Sequence, residues 1–264
     1  MKKIHVGFLL SYDYDKLKKS IPPVYKEADA IFIAMDYKNR TWSGETFIVD
    51  PAFFEWLEAF DVDNKIQLYK DDFYDPNLIA IENDNRERHM LSLKMGVGNW
   101  LVQIDSDEYF VDFANYVKDL RRFDSYLDNP EKKNIQIAAY LINLYKYTDN
   151  GVLFIKEPTR GIIATNYPNY QVARNTRKRI VYTQNILHES IARDEAELVL
   201  KLDNWGHNIE VQDKAAFLEK WRTTNKSNYK ERENFFYIEP EKWKHLEFCE
   251  GNTIEEIRKN INLK

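Results

Sequence analysis

The segment from Gly98 to Phe110 has the sequence GNWLVQIDSDEYF, in which an apolar run ends in three acidic residues. Tryptophan, valine and isoleucine between Trp100 and Ile104 suit a buried β-strand. Open α/β sheets bind ligands just beyond the carboxyl ends of their strands. Two carboxylates that are separated by one residue, such as Asp105 and Asp107, can both turn towards one hard cation. The segment therefore predicts an α/β sheet with a divalent metal and a phosphorylated ligand at one strand end.

Asp-x-Asp pairs also occur at Asp13/Asp15 and at Asp61/Asp63. The first pair leads into a lysine-rich segment, and the second lies at the polar end of a predicted helix. Only the pair at Asp105/Asp107 follows a predicted strand directly. A solvated acidic turn is the alternative interpretation, and the pattern alone leaves both open.

Composition limits the class of protein. The chain has 264 residues and a net charge of −5, which argues against a nucleic-acid-binding protein, because such a protein needs a basic face. Cys249 is the single cysteine, so neither a disulfide framework nor a cysteine-based metal site is expected. The longest apolar run, from Ile135 to Tyr145, is shorter than the roughly twenty residues of a membrane span. A cytoplasmic protein with at most peripheral membrane contact is therefore expected.

The first part of the chain alternates strands and helices. Apolar runs at Ile4–Leu10, Ala30–Met35 and Ile66–Tyr69 are typical of buried parallel strands. Asp50 followed by Pro51 predicts the start of a helix between the second and third strands. Asp36 ends the second strand, where such folds place an acid that binds a ribose or a base. A loop aspartate that accepts hydrogen bonds from nearby amides is the alternative.

The second part changes character. The run from Ile135 to Tyr145 and the run from Val152 to Lys156 predict an antiparallel hairpin, because Asn-Gly between them suits a tight turn. Thr253 has capping-box spacing to Glu256 and predicts a final helix. The predicted fold class is α/β, with a mixed and mainly parallel Rossmann-like sheet flanked by helices, an antiparallel hairpin and a helical C-terminal part.

Several basic residues and histidines are candidates for contacts with an anion or a metal. Arg88 lies in a predicted helix, Glu82–Met95, that leads into the acidic segment and could aim the side chain at a diphosphate. A basic cluster from Arg174 to Arg179 could also contact phosphates. His188 and His207 are more often structural when they are taken singly, but His188 adjoins Glu189, which favours a metal or acid–base role.

These parts resemble the GT-A-type glycosyltransferases of the family-2-like group that builds bacterial surface polysaccharides and lipopolysaccharides. The segments Asn85–Met90 and Gly96–Glu108 are similar to the family's arginine-bearing helix, glycine turn, apolar strand and Asp-x-Asp-Glu tip. Leu187-His188-Glu189 and the segment from Trp205 to Lys220 are similar to its His-Glu and late-histidine elements. The resemblance implies a GT-A nucleotide-sugar-binding and catalytic domain over residues 1–220, with a helical extension over residues 221–264 packed on it.

The resemblance also implies roles for single residues. The residues that bind the nucleotide and its diphosphate would be Ser11, Asp36, Arg88 and Asp105. The ligands of a Mn²⁺ or Mg²⁺ ion would be Asp107, Asp105 and His207. Glu189 would be the general base, with Glu108, Asp194 and Asp203 as competing carboxylates.

The implied activity is metal-dependent transfer of a sugar, with inversion, from a UDP-sugar to a saccharide or lipid-linked saccharide acceptor. The enzyme would be of the hexosyltransferase type and would act in surface polysaccharide synthesis, in the cytoplasm or at the inner face of the membrane. One alternative is a haloacid-dehalogenase-like phosphatase, although that family carries its Asp-x-Asp pair on the first strand. Another is a non-catalytic sugar-nucleotide-binding module of the same fold. The donor sugar, the linkage and the oligomeric state have no signal in the sequence.

Overall fold

The computed structural model describes residues 2–176, 180–211 and 213–261. The strands within them are β1 (Ile4–Leu10), β2 (Ala30–Asp36), β3 (Ile66–Asp71), β4 (Trp100–Ile104), β5 (Glu108–Phe110), β6 (Gln136–Thr148), β7 (Gly151–Ile155), β8 (Thr159–Thr165), β9 (Ile180–His188) and β10 (Leu246–Glu250). The helices are α1 (Leu17–Ser20), α2 (Pro22–Tyr25), α3 (Pro51–Phe60), α4 (Ala80–Met95), α5 (Phe113–Arg121), α6 (Glu195–Asn204), α7 (Lys214–Thr223) and α8 (Ile254–Asn260).

The first four strands form a parallel sheet in the order β4-β1-β2-β3. All residues of β1 are buried, because helices cover both faces of the sheet. Helix α4 packs so closely on β1 that a Cβ atom at Gly7 would lie 2.7 Å from the sulfur of Met95. In the register, Phe8 of β1 lies opposite Ile104 of β4. The carboxyl ends of β1 and β4 therefore lie side by side.

The later strands extend this sheet mostly in antiparallel fashion. Strands β6 and β7 form the predicted hairpin, and β6 also pairs with β8 and, in parallel, with β9. Strand β8 pairs with β4 and joins the two halves into one curled, mixed sheet. The predicted fold class, a mixed α/β sheet flanked by helices with an antiparallel hairpin, is confirmed.

The C-terminal segment contains a strand as well as helices. Strand β10 pairs with the outer edge of β7, which offers unpaired backbone groups, and it buries Leu246 and Cys249 while Glu247 and Glu250 stay exposed. Helix α7 crosses residue 220, and its Trp221 shares an apolar cluster with residues on both sides of that position. Within the described residues, no helix combines the length and the apolar character that crossing a bilayer requires.

Local sequence signals account for several helix ends. The carboxylate of Asp50 accepts a hydrogen bond from the backbone N–H of Ala52 at 2.9 Å, and the hydroxyl of Thr253 accepts one from Glu256 at 3.2 Å. Strands β5 and β8 were not predicted from the sequence. Strand β5 is short and β8 is moderately polar, so neither has a strong local strand pattern. Each is stabilised by pairing with a strand that is distant along the chain.

Candidate functional site

A cavity of about 220 Å³ lies beyond the carboxyl ends of β1 and β4. Residues 11–13 follow β1 and residues 105–108 follow β4, and both segments line the cavity. The chain places β2 on one side of β1 and β4 on the other, so the loops after β1 and β4 diverge. A crevice at such a switch point is where open α/β sheets bind ligands.

Several further elements contribute to the walls of this cavity, among them β6 with Leu141, the segment with Arg174 and the end of β9 with His188. Helix α4 contributes Asp84, Glu87 and Arg88, and the loop after β2 contributes residues 40–42. Helix α6 and the turn after it contribute Lys201, Asn204, Trp205 and His207. Of the residues that the sequence predicts to bind nucleotide, metal or acceptor, those that line the cavity are Ser11, Arg88, Asp105, Asp107 and His207.

Arg88 is a buried cation in the cavity wall, and only 3% of its surface is exposed. Its guanidinium group donates hydrogen bonds to Asp84 and, at 2.8 Å, to Asp105. The third nitrogen, Nη1, is buried and has no hydrogen-bond partner among the described residues. An unpaired buried donor of this kind costs about 1–3 kcal/mol, so a ligand oxygen that reached Nη1 would be bound favourably.

Asp105 and Glu108 are fixed by arginines. Arg174 donates two hydrogen bonds of 2.7 Å to the two carboxylate oxygens of Glu108, which also accepts from the backbone N–H of Asp105. Burial favours the neutral form of Asp105, but the charges of Arg88 and Arg174 outweigh it and hold the pKa of Asp105 below its usual range. Asp105 is therefore an ionised carboxylate at the cavity wall.

Asp107 is more deeply buried than Asp105, with 3% of its surface exposed. Its Oδ2 accepts hydrogen bonds from Lys201, at 2.7 Å, and from Arg193. Burial is again outweighed, by the charges of Lys201, His188 and Arg193, and the pKa of Asp107 lies well below its usual range. Helix α6 and the segment before it close this strand end, which rules out the solvated acidic turn as a description of Asp107.

Asp36 does not line the cavity but holds a residue that does. Its carboxylate accepts two hydrogen bonds of 2.8 Å from the guanidinium group of Arg40. It also accepts from the backbone N–H groups of Lys38, Arg40 and, less closely, Phe73. Arg40 lines the cavity, so Asp36 acts on the cavity through Arg40. A direct contact between Asp36 and a nucleotide stays a prediction.

Glu189 is also outside the cavity lining. Its carboxylate accepts hydrogen bonds from Lys16 at 2.7 Å and from the phenols of Tyr109 and Tyr147 at 2.8 and 2.7 Å. Although burial opposes ionisation, Lys16, the charge of Lys19 and the phenol of Tyr147 lower the pKa of Glu189, which makes its carboxylate a weaker base. Its backbone N–H donates to the carbonyl of Asp107 and so fixes the acidic tip. The role of Glu189 as general base stays a prediction.

The competing carboxylates have other local roles. Glu108 lines the cavity but is held by both N–H groups of Arg174. Asp194 caps the start of α6 by accepting from the backbone N–H of Glu197. Asp203 pairs with Lys214 at the surface. Asp13, which lines the cavity and lies 3.2 Å from Arg193, is a further carboxylate near the acidic tip.

The predicted metal ligands do not form one cluster. His207 pairs with Glu210 through its Nδ1 atom, and no group of three or more histidine, cysteine or acidic side chains in the described parts of the chain is arranged to hold a metal by itself. His188 fits better than His207, because its Nε2 atom lies 3.7 Å from Oδ1 of Asp107. Its Nδ1 atom bonds the Oδ1 atom of Asn143, which fixes the ring, and in the neutral imidazole Nε2 is then the acceptor. Asp107 and His188 therefore fit a cation that takes its other ligands from phosphate and water.

A protonated glutamate borders the same cavity. Glu87 accepts a hydrogen bond from the indole N–H of Trp42, which also lines the cavity. Burial raises the pKa of Glu87 from 4.5 to about 8. The ring of Trp42 lies 5.7 Å from the guanidinium carbon of Arg88, so an aromatic face and a cation stand together at this wall.

Sequence reasoning missed Lys201, although it indicated a metal or acid–base role for His188 and a phosphate contact for the basic cluster that contains Arg174. Lys201 stands three residues after Leu198 and beside Leu202, so its position on the buried face of a helix could have identified it. Arg174 belongs to the basic cluster, of which residues 177–179 lie outside the described residues. No sequence pattern indicated a role for Trp42, because its place in the cavity wall depends on the packing of the loop after β2.

No protein-family model matches the chain, and no curated protein matches it. A crystal structure of S. aureus TarS 1-349, a glycosyltransferase, aligns with 57% of this chain and 38% of its own length, at 13% identity and a TM-score of 0.30. The aligned part is thus well under half of the TarS chain, and a score this low establishes neither fold family nor function.

Proposed function

We propose that this protein is a glycosyltransferase that moves a sugar from a nucleoside-diphosphate donor, with a UDP-sugar as the expected donor, to a saccharide acceptor. The observation that carries the proposal is Arg88, a buried arginine that lines the cavity beyond β1 and β4 and whose Nη1 atom has no hydrogen-bond partner among the described residues. A diphosphate offers the oxygens that this donor lacks. The aromatic rings of Trp42 and Trp205 in the same walls suit a nucleobase or a sugar.

In the proposed reaction the bond between the anomeric carbon and the diphosphate oxygen breaks, and its electron pair leaves with the diphosphate. The acceptor hydroxyl oxygen forms the new bond to the anomeric carbon, and its proton passes to a base. Arg88, held by Asp84 and Asp105, would stabilise the charge on the departing diphosphate. Inversion at the anomeric carbon, the saccharide or lipid-linked acceptor and a place in surface polysaccharide synthesis come from the sequence resemblance and form part of the proposal.

The proposal retains the divalent cation. Asp107 and His188 would hold a Mn²⁺ or Mg²⁺ ion together with oxygens of the diphosphate, and the ion would neutralise part of the leaving-group charge. With only two protein ligands, the site would bind the ion weakly until the nucleotide arrives.

The test is release of nucleoside diphosphate from a panel of nucleotide sugars, with and without Mn²⁺, together with thermal stabilisation by the free nucleotides. Arg88→Met should weaken binding of UDP by about tenfold or more, because a charged hydrogen bond is lost. Arg86→Met is the matched control, since Arg86 lies on the same helix but outside the cavity lining. A protein that hydrolyses phosphomonoesters and binds no nucleoside diphosphate would refute the proposal.

The base is tested separately. If Glu189 accepts the proton, Glu189→Gln should abolish transfer while UDP still binds. If the base is Asp13, then Asp13→Asn should have that effect and Glu189→Gln should mainly lower stability. The two variants are informative as a pair, because Asp13 lines the cavity and Glu189 does not.

A further inference from the structure

Helix α6 places a lysine inside the cavity. The helix begins at the Asp194 cap and buries Leu198 and Leu202 against the apolar cluster that contains Trp221. Lys201 lies on the same buried side, lines the cavity and exposes only 8% of its surface. An ammonium group that is buried to this extent requires anionic partners.

The bonding of Lys201 is incomplete. Its ammonium group has three N–H donors, and the described residues offer one acceptor, Oδ2 of Asp107 at 2.7 Å. The same oxygen also accepts from Arg193, so one carboxylate oxygen meets two cations. Arg193 is shared with Asp13 and is outside the cavity lining, whereas Lys201 lines the cavity and has N–H donors that no described residue accepts.

Lys201 and Arg88 approach the acidic tip from different elements. Arg88 comes from α4 and reaches Asp105, whereas Lys201 comes from α6 and reaches Asp107. Asp105 and Asp107 are separated by one residue, so the two cations meet neighbouring parts of one turn. Both line the same cavity. The Nη1 atom of Arg88 has no partner among the described residues, and Lys201 has one acceptor there for its three N–H groups.

We propose that Lys201, held on Asp107, donates hydrogen bonds directly to the diphosphate of the donor and stabilises it as a leaving group. The inference rests on the proposed function and deepens it. Asp107 thereby has two tasks: its Oδ2 atom positions Lys201, while its Oδ1 atom faces His188. Lys201 gains partners for its free N–H groups when the phosphate oxygens arrive. The contact therefore persists when divalent cations are removed.

The experiment measures binding of UDP, GDP, CDP and dTDP by calorimetry, once with Mn²⁺ and once with a chelator. Lys201→Met should weaken binding of the nucleotide that the wild type prefers by about ten- to hundredfold in both conditions. It should also reduce the dependence of Kd on salt, which a purely structural role of Lys201 would not change. Lys214→Met, a surface lysine on α7 paired with Asp203, is the matched control and should bind like the wild type.

A second variant distinguishes loss of the ammonium group from loss of folding. Lys201→Cys can be alkylated with bromoethylamine, which restores a side chain of nearly the same length and charge. The single native cysteine, Cys249, is replaced by alanine in this variant, so that alkylation is confined to position 201. Aminoethylation should restore nucleotide binding, whereas iodoacetamide should not.

The outcomes separate the two proposals. If the wild type binds a nucleoside diphosphate and Lys201→Met binds it within about twofold in both conditions, Lys201 is not a phosphate contact and only the inference fails. Equal binding by the aminoethylated and carbamidomethylated proteins would also overturn it. If the wild type binds no nucleoside diphosphate with or without Mn²⁺, the proposed function fails and the inference fails with it.

Discussion

Replacement of Glu87 by glutamine should make the protein more stable at alkaline pH but not at acidic pH. Burial of Glu87 raises the pKa of its carboxyl group from 4.5 to about 8. Between these two values the folded protein keeps the proton while the unfolded chain releases it, so wild-type stability falls as the pH rises through this window. Below the window both states carry the proton, and Glu87 contributes no pH dependence there.

The size of the effect follows from the same two values. Each pKa unit corresponds to about 1.4 kcal/mol, so the shift from 4.5 to about 8 sets an upper bound of roughly 5 kcal/mol. Glutamine has the shape of the protonated glutamate, keeps an oxygen for the indole N–H of Trp42 and cannot ionise. We expect Glu87→Gln to exceed the wild type by about 2–4 kcal/mol in free energy of unfolding near the upper end of the window.

Urea unfolding of both proteins at about pH 5 and about pH 8.5 measures this difference. Glu58→Gln is the control, because it removes an exposed carboxyl group from helix α3. The difference between Glu87→Gln and the wild type should be small at the lower pH and large at the higher one. An equal difference at both pH values would show that Glu87 is ionised in the folded protein, and the reasoning would be refuted.

Three further substitutions test the packing around the cavity and the sheet. Asp107→Asn should lower the free energy of unfolding by about 3–5 kcal/mol, because Lys201 and Arg193 lose their shared charge partner. Urea unfolding measures this loss, and an unchanged free energy of unfolding would contradict the buried ion pairs. Glu189→Gln should be destabilising by about 2–4 kcal/mol in the same assay, since Lys16 would keep its charge without a carboxylate. Gly151→Ala should cost about 1–3 kcal/mol, because the new Cβ atom would lie 2.2 Å from the carbonyl oxygen of Cys249. Hydrogen exchange should then show faster opening of β10, and unchanged protection there would contradict the close approach.

The acidic tip shows how far sequence patterns reach. The apolar run before Asp105 predicts β4 correctly, and the parallel register with β1 places Asp105 at the cavity, as the pattern of the strand end indicates. The electrostatic partners of the two aspartates were beyond that pattern. Arg174, which pairs with Asp105, lies 69 residues further along the chain. Lys201, which pairs with Asp107, lies 94 residues further along. Only folding brings these residues together.

The same division applies to Asp36 and Glu189. The position of Asp36 at a strand end was visible in the sequence, because strand periodicity is a local property. The extension of β9 to His188, which places Glu189 at a strand end, was not predicted. Whether each carboxylate faces the cavity was not visible, because that depends on which donors the neighbouring loops supply. The carboxylate of Asp36 is hydrogen-bonded by Arg40. The carboxylate of Glu189 is hydrogen-bonded by Lys16, Tyr109 and Tyr147.

The sequence by itself determined the alternation of strands and helices, the capped helix starts at Asp50 and Thr253, the hairpin turn and the place of the acidic tip. These features depend on residues close together in the chain, whose backbone preferences and apolar spacing act locally. The tertiary structure alone decided which charges are paired, which side chains line the cavity and how strand β10 joins the sheet. Burial and charge pairing depend on contacts between distant segments, and therefore have no signature in any single stretch of sequence.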